Sequence, residues 1–526
     1  MGLPIHLQGL LRPRAYPHPV GHVQVIETQL SWVLIAGERA YKIKRPVRFP
    51  FVDQRTLEER RLLCGEELRL NLRFAPQIYL DIAGIGMANG LARVDGPGEP
   101  IEFAVVMQAF DGSNELDQLV LHRRVRPPEI GDFGRWLADA HAGLPRRNNI
   151  MGEDSWRRAA AAAARNARAC IAAAATFGTD PFIGAIAGQL AAEFVARKEI
   201  INGRAAGDFI RECHADLHLS NVVRLNNGLV PFDCLEFDAA LRWIDVAQDA
   251  AFFYADLLGY DEPGLAASFL DAYLQGSGDY EACIVFPLYT ADRALVRAKV
   301  LALQGREGQR SDAAHGDLLR RRHENYLRIA SAALSAPGPC CVMMCGLPGS
   351  GKSWLAAQLA PEMSAITLRS DLERKRLAGL DALSRSDSQG GGGLYGADRV
   401  ALVYRRLMHC AAAVLEGRRS VIVDANFGQR EQRAELAELC HARGVPLVVV
   451  ECHAPLPLLR QRIAARLARA HDPSEADLQV LELQIGAREP IASAEGLTVI
   501  TADTSDVDVV PRVRDRLNRA ARLQVQ

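Results

Sequence analysis

The chain has 526 residues, 49% of them hydrophobic and 24% charged, and a formal net charge of -1. That length predicts two or three compact units of ordinary globular composition, and the charge balance disfavours a dedicated nucleic-acid or acidic-membrane binder. No run of about 18 apolar residues offers a transmembrane helix, and Pro and Arg break up MGLPIHLQGLLRPRAYPHP before a signal core develops, so a cytoplasmic protein without a membrane partner is expected.

Residues 20–110 read as short strands around one helix. WVLIAG, RAYKIKRPV and IEFAVVMQAF have strand composition, and TLEERRLLCGEELRLNLRFA has helical periodicity. From about 115 to 335 the pattern is mostly helical, including the alanine run Ala159 to Ala164, with a strand-and-loop stretch near 210–240. That stretch holds HADLHLSN at 214–221 and FDCLEF at 232–237. Phosphoryl transfer to a hydroxyl needs such a set: Asp216 to orient and deprotonate the acceptor, and Asn221 and Asp233 to hold Mg²⁺, with His214 and His218 shaping the loop.

HxDLHxxN followed by Asp233 resembles the aminoglycoside phosphotransferase and choline kinase branch of the protein-kinase-like fold. The resemblance implies an ATP-phosphate lysine in AYKIK, where Lys42 and Lys44 share a strand face and Lys44 is favoured. Its implied ion-pair partner is Glu66 or Glu67, with Glu67 the choice for the site and Glu58 and Glu59 as alternatives. VVMQAF is similar to the strand that contacts adenine, and Asp245 and Asp249 in RWIDVAQDAAFF to the acidic pair that anchors the catalytic loop. Two departures are visible. No GxGxxG precedes the lysine strand, and the metal motif reads DCL, with Glu236 adding a carboxylate.

SAPGP at 335–339 reads as a linker, after which apolar strands CCVMMCG, SVIVDAN and PLVVVEC alternate with helical segments, the pattern of a parallel sheet. The 11 cysteines have no zinc-type spacing and are expected to be reduced, and the cluster Cys340, Cys341 and Cys345 falls in a buried strand. GLPGSGKS at 346–353 satisfies GxxxxGK(S/T) between a strand and a helix. Gly346, Leu347, Pro348, Gly349, Ser350 and Gly351 supply backbone N–H groups to phosphates, Lys352 reaches the β- and γ-phosphates, and Ser353 meets Mg²⁺. Asp371 in RSDLERKRLAG follows a short strand and can take a hydroxyl proton, while Arg374 can grip an acceptor anion. Asp424 ends the SVIVD strand, where it can hold Mg²⁺. GGGG at 390–393 reads as a flexible loop.

GLPGSGKS, then SDxxRK, then a strand ending in DANF, resembles the gluconate-kinase, zeta-toxin and polynucleotide-kinase group of P-loop kinases. The resemblance implies Asp371 as base, Arg374 as acceptor grip, similar places for Asn426 and Arg430, and an arginine-bearing lid in which Arg460, Arg462 and Arg466 are candidates. The whole chain resembles bacterial fusions of an aminoglycoside-phosphotransferase-like module with a P-loop ATP-binding module. The expected fold is a bilobal α+β protein-kinase-like domain at 1–335, with lobes at about 1–110 and 111–335, followed by an α/β P-loop NTPase domain at 336–526. The expected activity is ATP- and Mg²⁺-dependent phosphoryl transfer to small hydroxylated acceptors at two sites. A polynucleotide 5′-hydroxyl acceptor at the second site is the alternative, disfavoured by the lack of a basic stripe with interleaved aromatics. A purely regulatory nucleotide-binding domain would not need both acid and lysine sets intact, as they are here. Matched numbers of cations and acids also argue against a polycationic antibiotic acceptor. Oligomeric state has no signature in the sequence.

Overall fold

Alternating apolar and polar residues in SWVLIA and RAYKIK fold into a tight hairpin, in which Ala36 faces Arg39 across Gly37, whose φ of 64° suits a two-residue turn. In the computed structural model, residues 2–49, 52–147, 155–308, 313–335, 338–381, 396–469 and 474–523 are described. GGGG at 390–393 and part of the 335–339 linker lie outside them. The chain divides into two units, one of residues 1–125, 143–152 and 204–256, the other of 126–142, 153–203 and 257–526. The division falls within the helical part of the chain rather than at 335–339, so the helices after residue 257 belong with the C-terminal sheet.

In the first unit, strands β1 (Val23–Glu27), β2 (Ser31–Ala36), β3 (Arg39–Lys44), β4 (Tyr79–Ala88), β5 (Leu91–Val94) and β6 (Glu102–Gln108) form one antiparallel sheet in the order β1-β2-β3-β6-β4-β5. Leu34, Tyr41, Ile43, Ile85 and Ala104 belong to one of its cores. Helix α1 (Leu57–Asn71) begins with a capping box, in which Thr56 accepts from the Glu59 N–H and Glu59 bonds back to the Thr56 N–H. A buried ion pair, Arg60 to Glu102 at 2.8 Å, ties α1 to β6. Beyond it, β7 (Ile210–Glu212) pairs with β10 (Trp243–Asp245), and β8 (Val222–Leu225) with β9 (Gly228–Pro231), bracketing the 213–221 loop. Helix α2 (Val246–Gly259) follows.

In the second unit, the three apolar runs and the short strand expected before Asp371 join one unanticipated strand in a five-stranded parallel sheet. Its members are β11 (Cys341–Cys345), β12 (Ile366–Arg369), β13 (Val421–Asp424), β14 (Leu447–His453) and β15 (Thr498–Asp503), in the order β12-β13-β11-β14-β15. Every residue of β11 and β13 is buried, as expected where helices cover both faces. Val342, Met344, Leu355, Leu359, Ile422, Val450 and Ile500 fill one core. The cysteines are free and, apart from Cys340, buried.

Helix α3 (Pro263–Ser277), followed by α4 (Ala282–Gly308), lies against the edge strand β12. Asp271 of α3 accepts the Thr367 N–H at 2.6 Å. An edge strand buried under a helix leaves main-chain donors without a ladder partner, and this carboxylate supplies one. Helices α5 (Lys352–Met363), α6 (Ser370–Leu377), α7 (Ala397–Glu416), α8 (Arg430–His441), α9 (Leu456–Arg469), α10 (Leu478–Ala487) and α11 (Val509–Leu523) follow the first strand of this sheet in the same unit. Glu373 of α6 is fully buried between Arg376 and Arg406, which also bond the carbonyls of Gln275 and Gly278 at the end of α3. Among the described residues no helix is long and apolar enough to cross a membrane.

Candidate active sites

Parallel strands bring their carboxyl ends to one side of a sheet, where ligands of open α/β folds bind. Here three adjacent ends meet: the 346–353 loop after β11, Asp424 at the end of β13, and Asp371 just after β12, whose Arg369 lies in register with Asp424. They open into a cavity of about 450 Å³ lined by Pro348, Gly349, Gly351, Lys352 and Ser353 of the loop, by Asp371 and Arg374, by Asp424, and by Arg462 and Arg466. Gly346, Leu347 and Ser350 shape the loop without lining the cavity.

The loop is held from behind. Gly351, at φ 83°, precedes α5, and a Cβ there would come within 3.0 Å of the Thr504 side chain. Thr504 donates its hydroxyl to the Ser350 carbonyl at 2.8 Å. Arg462 donates to the Thr504 hydroxyl at 2.8 Å and to the Gly349 carbonyl at 3.2 Å. Lys352 Nζ bonds the Gly346 and Leu347 carbonyls at 2.7 and 2.9 Å, arching over the loop's own backbone.

Burial raises the Asp424 carboxyl above its usual range, opposed by Arg369, by Lys352 and by a hydrogen bond with Ser353. A buried carboxylate touching a hydroxyl at the loop's end is a donor pair that fits Mg²⁺. Burial acts the same way on Asp371, but Arg374, a hydrogen bond with Ser474, and Arg369 outweigh it and hold the carboxyl below its usual range. Arg374 bonds Asp371 directly, so the expected acceptor grip is committed to a partner. Arg466 donates to the Ala476 carbonyl at 2.6 Å. Arg460 points away, paired with Glu482 at 2.7 Å and half exposed, because it sits on the outer phase of α9. Arg430 is likewise absent from the lining, whereas Asn426 is part of it. Sequence reasoning missed Thr504, and also Gln484 and Arg488, which α10 and its end bring to the cavity.

In the first unit, Lys42 and Lys44 share one face of β3 and meet carboxylates from α1 and the 232–237 segment. Lys42 bonds Glu67 at 2.8 Å and also Asp233, and Lys44 bonds Glu67 and Glu236. Lys44 is 1% exposed and Lys42 12%, so Lys42 is the lysine nearer solvent and nearer the expected metal ligand. Burial would lower both lysines, but Asp233 and Glu67 for Lys42, and Glu236 and Glu67 for Lys44, raise them above the usual range. Glu58 pairs with Arg61, Glu59 caps α1, and Glu66 pairs with Arg69 and Arg242, so Glu67 alone of the four turns to the lysines.

The 213–221 loop is fixed by carboxylates of α2. Asp249 accepts from the N–H groups of His214 at 3.1 Å and Ala215 at 2.8 Å, and Asp256 from that of Leu219 at 2.8 Å. Ala215 takes φ 70°, turning the chain sharply before Asp216. Asn221 donates to the Asp216 carboxylate at 3.1 Å, and His218 lies 3.5 Å from it. Burial lowers the His214 pKa, and its ring bonds the Phe232 carbonyl at 2.9 Å. Asp245, expected to share the anchoring with Asp249, pairs with buried Arg204 at 2.7 Å.

A strand, a phosphate-type loop and a helix on a parallel sheet, with an acid at the neighbouring strand end, define the second unit's sheet as a P-loop nucleotide-binding domain. Residues 341–491 match the model of the AAA domain family AAA_33. The protein Rv2004c of Mycobacterium tuberculosis is 30% identical over 456 residues, 85% of this chain and 88% of that protein, and the chain belongs to the same family. Among solved structures, a sugar kinase from Janibacter sp. is 17% identical, covering 34% of this chain and 95% of that one with a TM-score of 0.27. A gluconokinase from Sinorhizobium meliloti is 19% identical, covering 35% and 95%, with a TM-score of 0.26.

Proposed function

We propose that the protein is an ATP-dependent phosphotransferase whose P-loop site, in a domain of about 336–526, phosphorylates a small hydroxylated acceptor. The observation that carries this is the meeting of Lys352, Ser353, Asp424 and the Asp371–Arg374 pair in one cavity. Lys352 and the loop N–H groups would bind the phosphates, and Arg462 and Arg466 would face the transferring group. Ser353 and Asp424 would hold Mg²⁺, which supplies charge neutralisation of the phosphates when bound. The acceptor oxygen forms its bond to the γ-phosphorus as the bond to ADP breaks, and the hydroxyl proton passes to Asp371. Because Asp371 is kept ionised by its neighbours, it is ready as a base at neutral pH.

A second phosphotransfer site in the first unit, within a kinase-like domain of about 1–335, is supported by the Lys42–Glu67 pair, the Asp216–Asn221 contact and the Lys42–Asp233 bond. In this reading Lys42, rather than Lys44, meets the phosphates. Asp216 is the base, and Asn221 and Asp233 hold Mg²⁺. ATP consumption by the wild type, Lys352→Ala and Asp216→Ala across sugars, amino-sugars, nucleosides and 5′-hydroxyl oligonucleotides tests both sites. An acceptor whose turnover one substitution abolishes assigns that acceptor to that site. ATP binding without acceptor-driven turnover at either site would favour a regulatory role.

A further inference from the structure

We propose that the acceptor of the P-loop site is electrically neutral and rich in hydroxyl groups, a sugar or polyol lacking carboxylate and phosphate. This deepens the phosphotransfer reading above and rests on it. Of the described cations that line the cavity, Lys352 and Arg462 bond carbonyls of the phosphate loop and Arg466 bonds the Ala476 carbonyl, which leaves Arg374 and Arg488. Each is neutralised at home: Arg374 by Asp371, and Arg488 by Glu451 at 2.5 Å. An anionic acceptor would enter beside the ionised Asp371 with both guanidinium charges already balanced, and like charges brought together out of water are costly. An oligonucleotide, which needs Lys or Arg for successive phosphates, is disfavoured for the same reason.

The uncharged lining adds a positive requirement. The side-chain oxygens of Asn426 and Gln484, both residues of the cavity wall, are buried and have no hydrogen-bond partner among the described residues. An amide oxygen only accepts, so its complement is a donor, and buried polar atoms in folded proteins are rarely left unmatched. Hydroxyl groups donate, whereas an ionised carboxylate only accepts and a phosphate ester accepts at most of its oxygens. Val400, Val480 and Leu483 line the same cavity and would cover carbon faces of such a molecule.

The test uses the full-length chain carrying Asp216→Ala, so that only the P-loop site is read, with and without Lys352→Ala. Neutral hexoses, pentoses and polyols are compared with the matching aldonates, their phosphate esters and a 5′-hydroxyl trinucleotide. Lys352-dependent ATP turnover is expected with a neutral member, at a kcat/KM at least about tenfold above its charged counterparts. Gln484→Leu should raise the KM for that acceptor about tenfold while leaving the KM for ATP unchanged. Lys352-dependent turnover driven best by an aldonate, a phosphate ester or the trinucleotide overturns the neutral-acceptor assignment and leaves the phosphotransfer reading standing. Absence of Lys352-dependent turnover with every acceptor overturns both.

Discussion

Asp271 Oδ1 accepts the main-chain N–H of Thr367 at 2.6 Å, so a helix from before the 335–339 segment closes the edge of the sheet that carries the P-loop. Burial pushes the Asp271 carboxyl up to about 6, against its hydrogen bonds from Thr367 and Gln275 and the nearby Arg369. With the folded-state value above the unfolded one, the folded protein holds more protons between about pH 4 and 6, and the contribution to stability falls as pH rises through that window. Asp271→Asn, which keeps an accepting oxygen, should be more stable than the wild type at pH 7.5 by about 1–3 kcal/mol, and the difference should vanish near pH 4. Urea unfolding at a series of pH values measures it, and a pH-independent difference would remove the titration argument. Asp271→Ala instead leaves the Thr367 N–H unmatched and should cost about 1–3 kcal/mol.

The two lysines of β3 should separate function from stability. Lys44→Ala leaves Glu67 and Glu236 buried without their cation and should destabilise by about 3–5 kcal/mol. Lys42→Ala leaves Glu67 paired with Lys44. It should therefore destabilise less while abolishing ATP turnover at the first site. Denaturant melts and acceptor-driven ATP consumption, both in a Lys352→Ala background, read the two effects. Equal stability losses for the two variants would contradict the assignment.

Asp371→Asn removes the proposed base but keeps a hydrogen-bonding group near Arg374. We expect kcat at the P-loop site to fall by about 10²–10⁴ with little change in the KM for ATP. A loss confined to KM would mean that Asp371 only binds.

Thr504→Val removes the hydroxyl that bonds the Ser350 carbonyl and Arg462 while keeping the side chain's volume. ATP affinity should drop about tenfold through a less ordered loop, with the lysine and serine ligands untouched. Isothermal titration with ATP, checked against Thr504→Ser as the rescue, measures it.

The P-loop was legible because glycines, a lysine and a serine at fixed spacing follow a wholly apolar strand, and local geometry needs little else. β11, β13 and β14 were legible as unbroken apolar runs, since parallel strands are buried on both faces. β15 was not: its burial alternates, and Thr498, Val499 and Thr501 are exposed, which weakens an apolar signal. Strand period placed Lys42 and Lys44 on one face, but depth along that face depends on where α1 and Glu236 sit, and that is tertiary. The phase of α9 likewise sends Arg462 and Arg466 to the cavity and Arg460 outward. Asp271 and Glu373 were invisible as partners because a single carboxylate in a helical segment carries no mark of what will later pack on it.

The bond between Thr504 and the Ser350 carbonyl joins positions 154 residues apart. A ribosome that has just released GLPGSGKS has made all of the phosphate-binding sequence but none of the strand end that steadies it. That support is in place only after β15 has emerged and paired with β14, so the P-loop site is completed late in synthesis.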